Sequence, residues 1–279
     1  MKTVVIWGAT GTGRSIYSKI VNKYNILYFV DGNPEIIGEE YEGLKIQPKE
    51  YLRELRPDRV IIGVLTGYDD AIQWLMQTGG FDEESIICKY VDLSTRARNA
   101  SLEGVASILS KKAIKGAVAE LGVYRGDFAK EINRVFPERE LYLFDTFEGF
   151  PEQDLYYEVE NNLLTNKSGK FKNTSVEYVL SRMPYREKCI VKKGYFPDTA
   201  EGMEEKFAFV SIDVDLYKPM LAGLEYFWER MEKNGYIFVH DYFSNAYAGT
   251  QKAIEEFAEK CNVCFFPIGD TYSVAFVKN

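Results

Sequence analysis

Apolar and polar residues alternate along the chain in short blocks that predict strands and helices in turn. The first 90 residues contain a β-branched strand from Lys2 to Trp7, a helix to about Lys23, and a second apolar strand that ends at Asp31. A third strand from Arg59 to Leu65, a helix from Asp69 to Gln77 and a short fourth strand follow. Strands that alternate with helices predict a mostly parallel sheet covered on both faces.

The pattern restarts after a helix predicted from Ser94 to about Lys112, and we place a domain boundary near residue 95. The domains are therefore predicted to be residues 1–94 and 95–279.

In the second domain a helix is expected from Thr199 to Lys206, and the last two strands should form an antiparallel hairpin. The seven strands predicted for the second domain start near Ala117, Glu140, Cys189, Ala208, Tyr236, Val263 and Tyr272. The fold class is thus α/β, with a mostly parallel seven-stranded sheet in the larger domain.

Composition narrows the classes of partner. The 279 residues include 34 basic and 42 acidic side chains, for a net charge of −8, and no dense Lys/Arg block offsets that balance. This argues against a nucleic-acid-binding surface and favours a small-molecule partner. No apolar run approaches the roughly 20 residues that span a bilayer, and no signal peptide is evident, so a cytoplasmic protein is expected. The single histidine, His240, excludes a multi-histidine metal site.

A glycine-rich loop follows the first strand. Gly8, Gly11 and Gly13 lie where a strand passes into a helix, a context in which backbone N–H groups can bind a phosphate. Asp31 ends the second strand, where an acid can accept hydrogen bonds from a ribose. A nucleotide or nucleotide-sugar site is one interpretation, and a tight strand-to-helix turn is the other. The segments G-A-T-G-T-G-R and V-D-G-N-P-E resemble small Rossmann-like domains that precede sugar-modifying enzymes in bacterial polysaccharide pathways.

A second glycine loop lies in the larger domain. An acid and a Gly-x-x-x-Gly turn come directly after a strand and before a helix, and another acid ends the next strand. This arrangement suits an adenosine ligand, and an acid beside the turn favours a positively charged end, as in S-adenosylmethionine. The candidate cofactor residues are Glu120, Gly122, Tyr124, Gly126, Asp145 and Thr146.

Acids and the lone histidine follow two later strands. Asp213 comes after one strand, and His240 and Asp241 come after the next strand along the chain. Because the carboxyl ends of parallel strands meet at the ligand crevice, we expect these three side chains to converge. Carboxylates with one imidazole suit Mg²⁺ or Mn²⁺, which can bind a substrate hydroxyl and lower its pKa.

Six motifs between residues 117 and 257 together resemble the macrocin O-methyltransferase family. In chain order they are A-E-L-G-V-Y-R-G, F-D-T-F-E-G-F-P, G-Y-F-P-D-T, S-I-D-V-D-L-Y-K-P, V-H-D-Y and G-T-Q-K-A-I-E-E-F. The resemblance covers about residues 95–279. It implies a class I methyltransferase fold and an S-adenosylmethionine- and Mg²⁺-dependent enzyme that methylates a sugar hydroxyl.

The resemblance also implies roles for single residues. Glu120, Gly122 and Asp145 would surround the methionine and ribose parts of the cofactor, and Tyr195 and Phe196 would flank the adenine. Asp213 and Asp241 would hold the metal, with Asp213 also lying at the cofactor and receiving the hydroxyl proton. His240 stands where the family often has an aspartate, so it is either a metal ligand or a catalytic base or orienting group. Asp215 and Tyr217 would support the metal ligands.

Several functions stay open at this stage. The insertion from Glu148 to about Asn173 is long enough to be a lid over the substrate. The acceptor sugar is a nucleotide sugar, a polysaccharide or a glycosylated natural product, and a homodimer is one candidate assembly.

Two functions other than methyl transfer are also open. One is a nucleotide-sugar oxidoreductase or epimerase that uses the Gly8 loop, and the other is a non-catalytic cofactor-binding protein.

Overall fold

The chain divides into two compact units, each with its own sheet and its own buried apolar side chains. A computed structural model describes residues 2–64, 67–164, 171–244 and 246–279. The first unit is Met1–Thr95 and the second is Arg96–Asn279.

The first unit contains a six-stranded sheet in the order β3-β4-β2-β1-β5-β6. Its elements are β1 (Thr3–Trp7), α1 (Gly11–Ile20), β2 (Asn25–Val30), β3 (Glu40–Tyr41), β4 (Leu44–Gln47), β5 (Arg59–Ile62), α2 (Tyr68–Gln77) and β6 (Ile86–Ile87). The strand pairs are parallel except β3 with β4. That hairpin was not predicted from the sequence. It turns through Glu42 and Gly43, which both have positive φ, the conformation that a two-residue hairpin turn needs.

The second unit contains a seven-stranded sheet in the order β12-β13-β11-β10-β7-β8-β9. Helix α3 (Lys89–Lys111) begins in the first unit and ends in the second. The other elements of the second unit are β7 (Ala117–Leu121), α4 (Asp127–Val135), β8 (Leu141–Asp145), α5 (Glu152–Glu160), α6 (Val176–Ser181), β9 (Cys189–Lys193), β10 (Phe207–Ile212), α7 (Tyr217–Arg230), β11 (Met231–Val239), α8 (Ala248–Cys261), β12 (Phe265–Pro267) and β13 (Val274–Val277). Five neighbouring strands are parallel, and β13 pairs antiparallel with β11 and β12. The predicted α/β class, with a mostly parallel seven-stranded sheet, is confirmed.

The centre of this sheet is buried on both faces. Every residue of β7 and β10 is buried, as expected for parallel strands that lie beneath helices on each side. The chain order reverses between these two strands, because β8 and β9 continue on one side of β7 while β10 and β11 lie on the other. In open α/β sheets such a reversal opens a crevice at the carboxyl ends of the strands, and that crevice is where ligands bind.

Two predictions about helices were wrong. In place of a helix from Thr199 to Lys206 there is one 3₁₀ turn, Asp198–Ala200, and Gly202 then adopts a positive φ of 72° that ends any helical path. The insertion after β8, expected as a polar loop, contains α5. Among the described residues, no helix is both long and apolar enough to cross a bilayer.

Candidate functional site

The turn after β7 is shaped by close contacts within the protein. Gly122 has a φ of 86°, and a Cβ atom there would lie 2.0 Å from the carbonyl oxygen of Asp213. A Cβ on Gly126 would lie 2.9 Å from the Val179 side chain. A side chain at Gly122 would clash with backbone, so packing alone requires that glycine, whatever ligand the turn binds. At Gly126 the φ of 76° favours glycine, and a side chain would also push against Val179.

Asp145, at the end of β8, holds the same turn through its carboxylate. One oxygen accepts hydrogen bonds from the backbone N–H groups of Val123 (2.7 Å) and Tyr124 (2.8 Å), and the other accepts from Phe147 N–H (2.6 Å). A carboxylate has about four acceptor positions, so room for one further donor remains. Thr146, the next residue, donates its hydroxyl to the Gly149 carbonyl and so closes a local turn.

Glu120 is a buried carboxyl at the floor of the crevice. It is 2% exposed, and its Oε2 atom has no hydrogen-bond partner within the described part of the chain. Burial, opposed by the positive charge of Arg98, raises the pKa of Glu120 well above its usual range. A buried oxygen without a partner marks a place where a donor from a ligand can bind.

Arg98 reaches this crevice from α3, and sequence reasoning missed it. Its Nη1 lies 3.3 Å from Asp213 Oδ2, and its Nη2 donates to Ser211 Oγ at 3.2 Å. The guanidinium lies over the Phe128 ring, 3.8 Å from the ring centroid. The arginine is therefore fixed between β10 and the start of α4.

Asp213, His240 and Asp241 converge at the ends of β10 and β11, as predicted. One possible ligand atom from each lies within 4.8 Å of the others. His240 Nδ1 lies 3.3 Å from an oxygen of Asp213 and 3.0 Å from an oxygen of Asp241. The imidazole stacks on Tyr272, with ring centroids 5.6 Å apart. Two carboxylates and an imidazole fit the donor preferences of Mn²⁺ and, less closely, of Mg²⁺.

Charges in this cluster strongly perturb one another. Burial raises the pKa of Asp213, but the positive charges of His240 and Arg98 outweigh it and lower that pKa to about 2. Burial disfavours the imidazolium of His240, yet Asp213 and Asp241 raise its pKa to about 10. Burial, followed by the negative charge of Asp241, raises the pKa of Asp215 well above its usual range. Opposed shifts among neighbouring acids are typical of functional sites.

The backbone around the crevice is strained. Four non-glycine residues with positive φ follow the four central strands of the sheet: Tyr124 (46°), Phe147 (55°), Asp215 (60°) and Asp241 (63°). Such conformations are unfavourable for residues that carry a Cβ atom, and they persist where the surrounding structure imposes them. All four follow the carboxyl ends of these strands, where the crevice opens.

The two aromatic residues predicted beside adenine lie in different environments. Tyr195 is half-buried, and its hydroxyl donates to Asp154 at 3.2 Å. Phe196 is 5% exposed, and its ring stacks on Phe227 with centroids 5.6 Å apart. Phe196 is therefore a core residue, and we do not retain it as an adenine contact.

The insertion after β8 packs beside the acid cluster. On α5, Glu158 is fully buried and accepts a hydrogen bond from Tyr217 N–H at 2.7 Å, at the start of α7. Phe150 lies 5.1 Å from Phe171 and 6.5 Å from Tyr247, measured between ring centroids. Burial, and then the negative charges of Asp215, Asp241 and Asp213, raise the pKa of Tyr247. The predicted lid also includes residues 165–170, which lie outside the described residues.

In the first unit, the loop of Gly8, Gly11 and Gly13 is held in the same way as the turn after β7. A Cβ on Gly8 would lie 2.6 Å from the Gly63 carbonyl oxygen, and one on Gly13 would lie 1.8 Å from the Gly8 carbonyl oxygen, whereas Gly11 has open space around it. Asp31 accepts hydrogen bonds from Ala9 N–H (2.8 Å) and Asn33 N–H (2.9 Å). Packing thus explains two of the three glycines, and the nucleotide interpretation stays a prediction.

Comparison with known families decides the assignment of the second unit. The family model described as macrocin O-methyltransferase (TylF) matches residues 90–271, which is more than half of the chain. The chain belongs to the macrocin O-methyltransferase family. Residues 1–87 match a second model, described as C2185-like, N-terminal, which names no ligand. No curated protein sequence matches the chain at a significant level.

Solved structures support the class I methyltransferase fold of this family member. One, described as the O-methyltransferase NovP, is 20% identical, with a TM-score of 0.53 over 66% of this chain and 80% of that chain. Another, described as CalS11, calicheamicin methyltransferase, is 17% identical, with a TM-score of 0.56 over 75% of this chain and 90% of that chain. As a macrocin O-methyltransferase family member, the chain is an O-methyltransferase. The family therefore favours methyl transfer over an oxidoreductase or epimerase and over a non-catalytic cofactor-binding protein.

Proposed function

We propose that the chain transfers the methyl group of S-adenosylmethionine to a hydroxyl of a sugar, assisted by a divalent metal. One observation carries this proposal: the cluster of Asp213, His240 and Asp241 lies beside Glu120, whose carboxyl has an unpaired oxygen. The negative charge of Asp213 contributes to the raised pKa of Glu120. Cofactor and metal would therefore be neighbours at the point where the strand order reverses.

The cofactor would lie across the turn after β7. Glu120 is suited to the ammonium of the methionine part, since its free oxygen needs a donor. Asp145 has one acceptor position left for a ribose hydroxyl, and the half-buried ring of Tyr195 is suited to stacking on adenine. The proposed cofactor residues are Glu120, Gly122, Tyr124, Gly126, Asp145, Thr146, Tyr195 and Asp213.

Asp213, His240 and Asp241 would hold Mg²⁺ or Mn²⁺. When bound there, the ion supplies positive charge that lowers the pKa of a sugar hydroxyl. The residues fit because their donor atoms converge and are of the types that these ions accept. Because Asp213 and Asp241 raise the pKa of His240, its imidazole is protonated at neutral pH and is not a base. A cation held by the two carboxylates would displace this proton, so we assign His240 a ligand or orienting role.

In the proposed reaction, the hydroxyl oxygen attacks the methyl carbon while the carbon–sulfur bond breaks, which leaves S-adenosylhomocysteine and one proton to remove. The family implies that Asp213 receives this proton, and we keep that role for Asp213. Its carboxylate lies in the cluster and is held ionised beside His240 and Arg98, so it has a free oxygen lone pair to accept a proton.

The insertion of residues 148–173 is proposed to cover the acceptor sugar. The support is that α5 is fixed to the start of α7 and that Phe150 approaches Tyr247 beside the acids. Deletion of the insertion should raise KM for the acceptor and lower turnover. Unchanged kinetics would contradict this part of the proposal.

The first unit is proposed to bind a nucleotide or carrier part of the substrate. Gly11 leaves open space at the start of α1, and the loop lies where the strand order reverses between β1 and β5. Calorimetry with UDP-sugars and with NAD tests this proposal, and the absence of any heat of binding would refute it.

The proposed reaction is tested by calorimetry and by a methyl-transfer assay. We expect S-adenosylmethionine to bind, and we expect turnover of sugar acceptors to fall when Mg²⁺ or Mn²⁺ is removed by chelation. Asp213→Asn should lower turnover by about 100-fold or more, a larger effect than its effect on cofactor affinity, since a metal ligand is weakened. Glu259→Gln, at an exposed position of α8, is the matched control. A chain that does not bind S-adenosylmethionine would refute the proposal.

A further inference from the structure

Two buried side chains in the crevice, one acidic and one basic, each leave one atom unpaired. Among the described residues, neither Arg98 Nε nor Glu120 Oε2 has a hydrogen-bond partner, although both atoms are buried. The side chain of Arg98 is only 12% exposed, and Glu120 is 2% exposed. Native proteins rarely leave such groups unsatisfied, so each atom points to a ligand group.

The unpaired atoms specify the chemistry of that ligand. Glu120 Oε2 requires a hydrogen-bond donor and favours positive charge, whereas Arg98 Nε–H requires an acceptor and favours negative charge. A ligand end that carries both charges on neighbouring atoms is an α-amino acid group. The guanidinium is already oriented, because Ser211 Oγ and Asp213 hold its terminal nitrogens and Phe128 lies against its face.

We propose that Arg98 binds the α-carboxylate of the cofactor's methionine part, while Glu120 receives its ammonium group. This inference rests on the proposed use of S-adenosylmethionine and adds a residue that lies outside the six family motifs. Arginine suits the task because its rigid fork of N–H donors matches a carboxylate.

The test combines two ligands with two proteins. Decarboxylated S-adenosylmethionine lacks only the α-carboxylate, so it measures what that group contributes. We expect the wild-type protein to bind S-adenosylmethionine at least about tenfold more tightly than the decarboxylated ligand, as for other hydrogen bonds to charged groups. Arg98→Gln should remove most of this difference by weakening S-adenosylmethionine alone. Isothermal calorimetry measures all four dissociation constants without any turnover.

Arg139→Gln is the matched control variant. Arg139 is also partly buried, but it donates to the backbone carbonyls of Ile114 and Gly116, before β7 begins. Its replacement should leave the ratio of the two affinities unchanged.

Each outcome of this test has one meaning. If wild-type protein binds both ligands equally, Arg98 has no carboxylate to bind and the inference is overturned, while the proposed function stands. If Arg98→Gln weakens both ligands equally, the arginine has a structural role only, which also overturns the inference. If the wild-type protein binds neither ligand, the proposed function itself fails. The wild-type comparison needs no variant, so equal binding of the two ligands overturns the inference even if Arg98→Gln does not fold.

Discussion

His240 is the one member of the acid cluster that offers a nitrogen atom. Its ring is fixed by Tyr272 on one side and lies within 3.3 Å of oxygens from both Asp213 and Asp241. Mg²⁺ prefers oxygen ligands, whereas imidazole suits later transition metals and is accepted by Mn²⁺. The choice of residue at this position therefore bears on which ion the site selects.

His240→Asp should shift the metal preference of the site from Mn²⁺ towards Mg²⁺. The substitution replaces a nitrogen donor by a carboxylate oxygen and adds a negative charge. We expect the ratio of the Mg²⁺ to the Mn²⁺ dissociation constant, measured by calorimetry, to fall by about tenfold. His240→Asn supplies an oxygen without the added charge and serves as the control. An unchanged ratio in the Asp variant would show that His240 is not a ligand.

The sequence identified some of the residues that meet in the crevice, but not all of them. Asp213, His240 and Asp241 were predictable because they end neighbouring strands, and strand ends in a parallel sheet converge. Arg98 was not predictable in this way, because it lies on the helix before the first strand of the larger domain and outside the six motifs. Phe196 was misplaced because an aromatic residue after a strand fits a core as well as a cofactor pocket, and only the contact with Phe227 distinguishes the two.

At the scale of elements, strands were predicted more accurately than the insertion. β7 and β10 are almost wholly apolar, and each begins within one residue of its expected start. Helix α5 was missed because its sequence, E-Q-D-L-Y-Y-E-V-E, is rich in acids that would normally face water. Asp154 and Glu158 are nevertheless buried, and this burial depends on distant partners such as Tyr195 and Tyr217.

Glu158→Gln should stabilise the protein more at pH 8 than at pH 5. Burial raises the pKa of Glu158, opposed by the Tyr217 N–H group and the charge of Lys252 and reinforced by Asp154. A carboxyl with a raised folded-state pKa favours folding while protonated, and this contribution is lost as pH rises through that pKa. Glutamine does not titrate, yet its carbonyl still accepts from Tyr217.

Urea denaturation at the two pH values measures this difference in the free energy of unfolding. Glu160→Gln, at an exposed position of the same helix, is the control and should change little at either pH. A Glu158→Gln variant whose gain is the same at pH 5 and pH 8 would show that the carboxyl titrates normally.

At the scale of the whole molecule, the chain contains separate cores in its two units. One core consists of residues between Val4 and Val91, and the cores of the second unit begin at Leu102. Separate cores favour separate unfolding transitions, since each unit buries its own apolar surface.

Calorimetric scans of the full chain should therefore show two transitions, and S-adenosylmethionine should raise the midpoint of only one. A ligand present at about 100 times its Kd stabilises the unit that binds it by about 2.7 kcal/mol. A nucleotide bound by the first unit would raise the other midpoint. A single transition that moves as a whole would contradict this expectation.

The two glycine loops share one hydrogen-bond pattern, and this pattern affects how mutants of either loop should be interpreted. In both units an aspartate at the end of the second strand accepts the N–H of the residue after the first glycine, and also the N–H two residues after itself. Asn substitution at Asp31 or Asp145 would disturb the loop even if no ribose ever touched the carboxylate. Loss of binding in such a variant is therefore ambiguous, whereas a 2′-deoxy ligand tested on the unaltered protein reports the ribose contact directly.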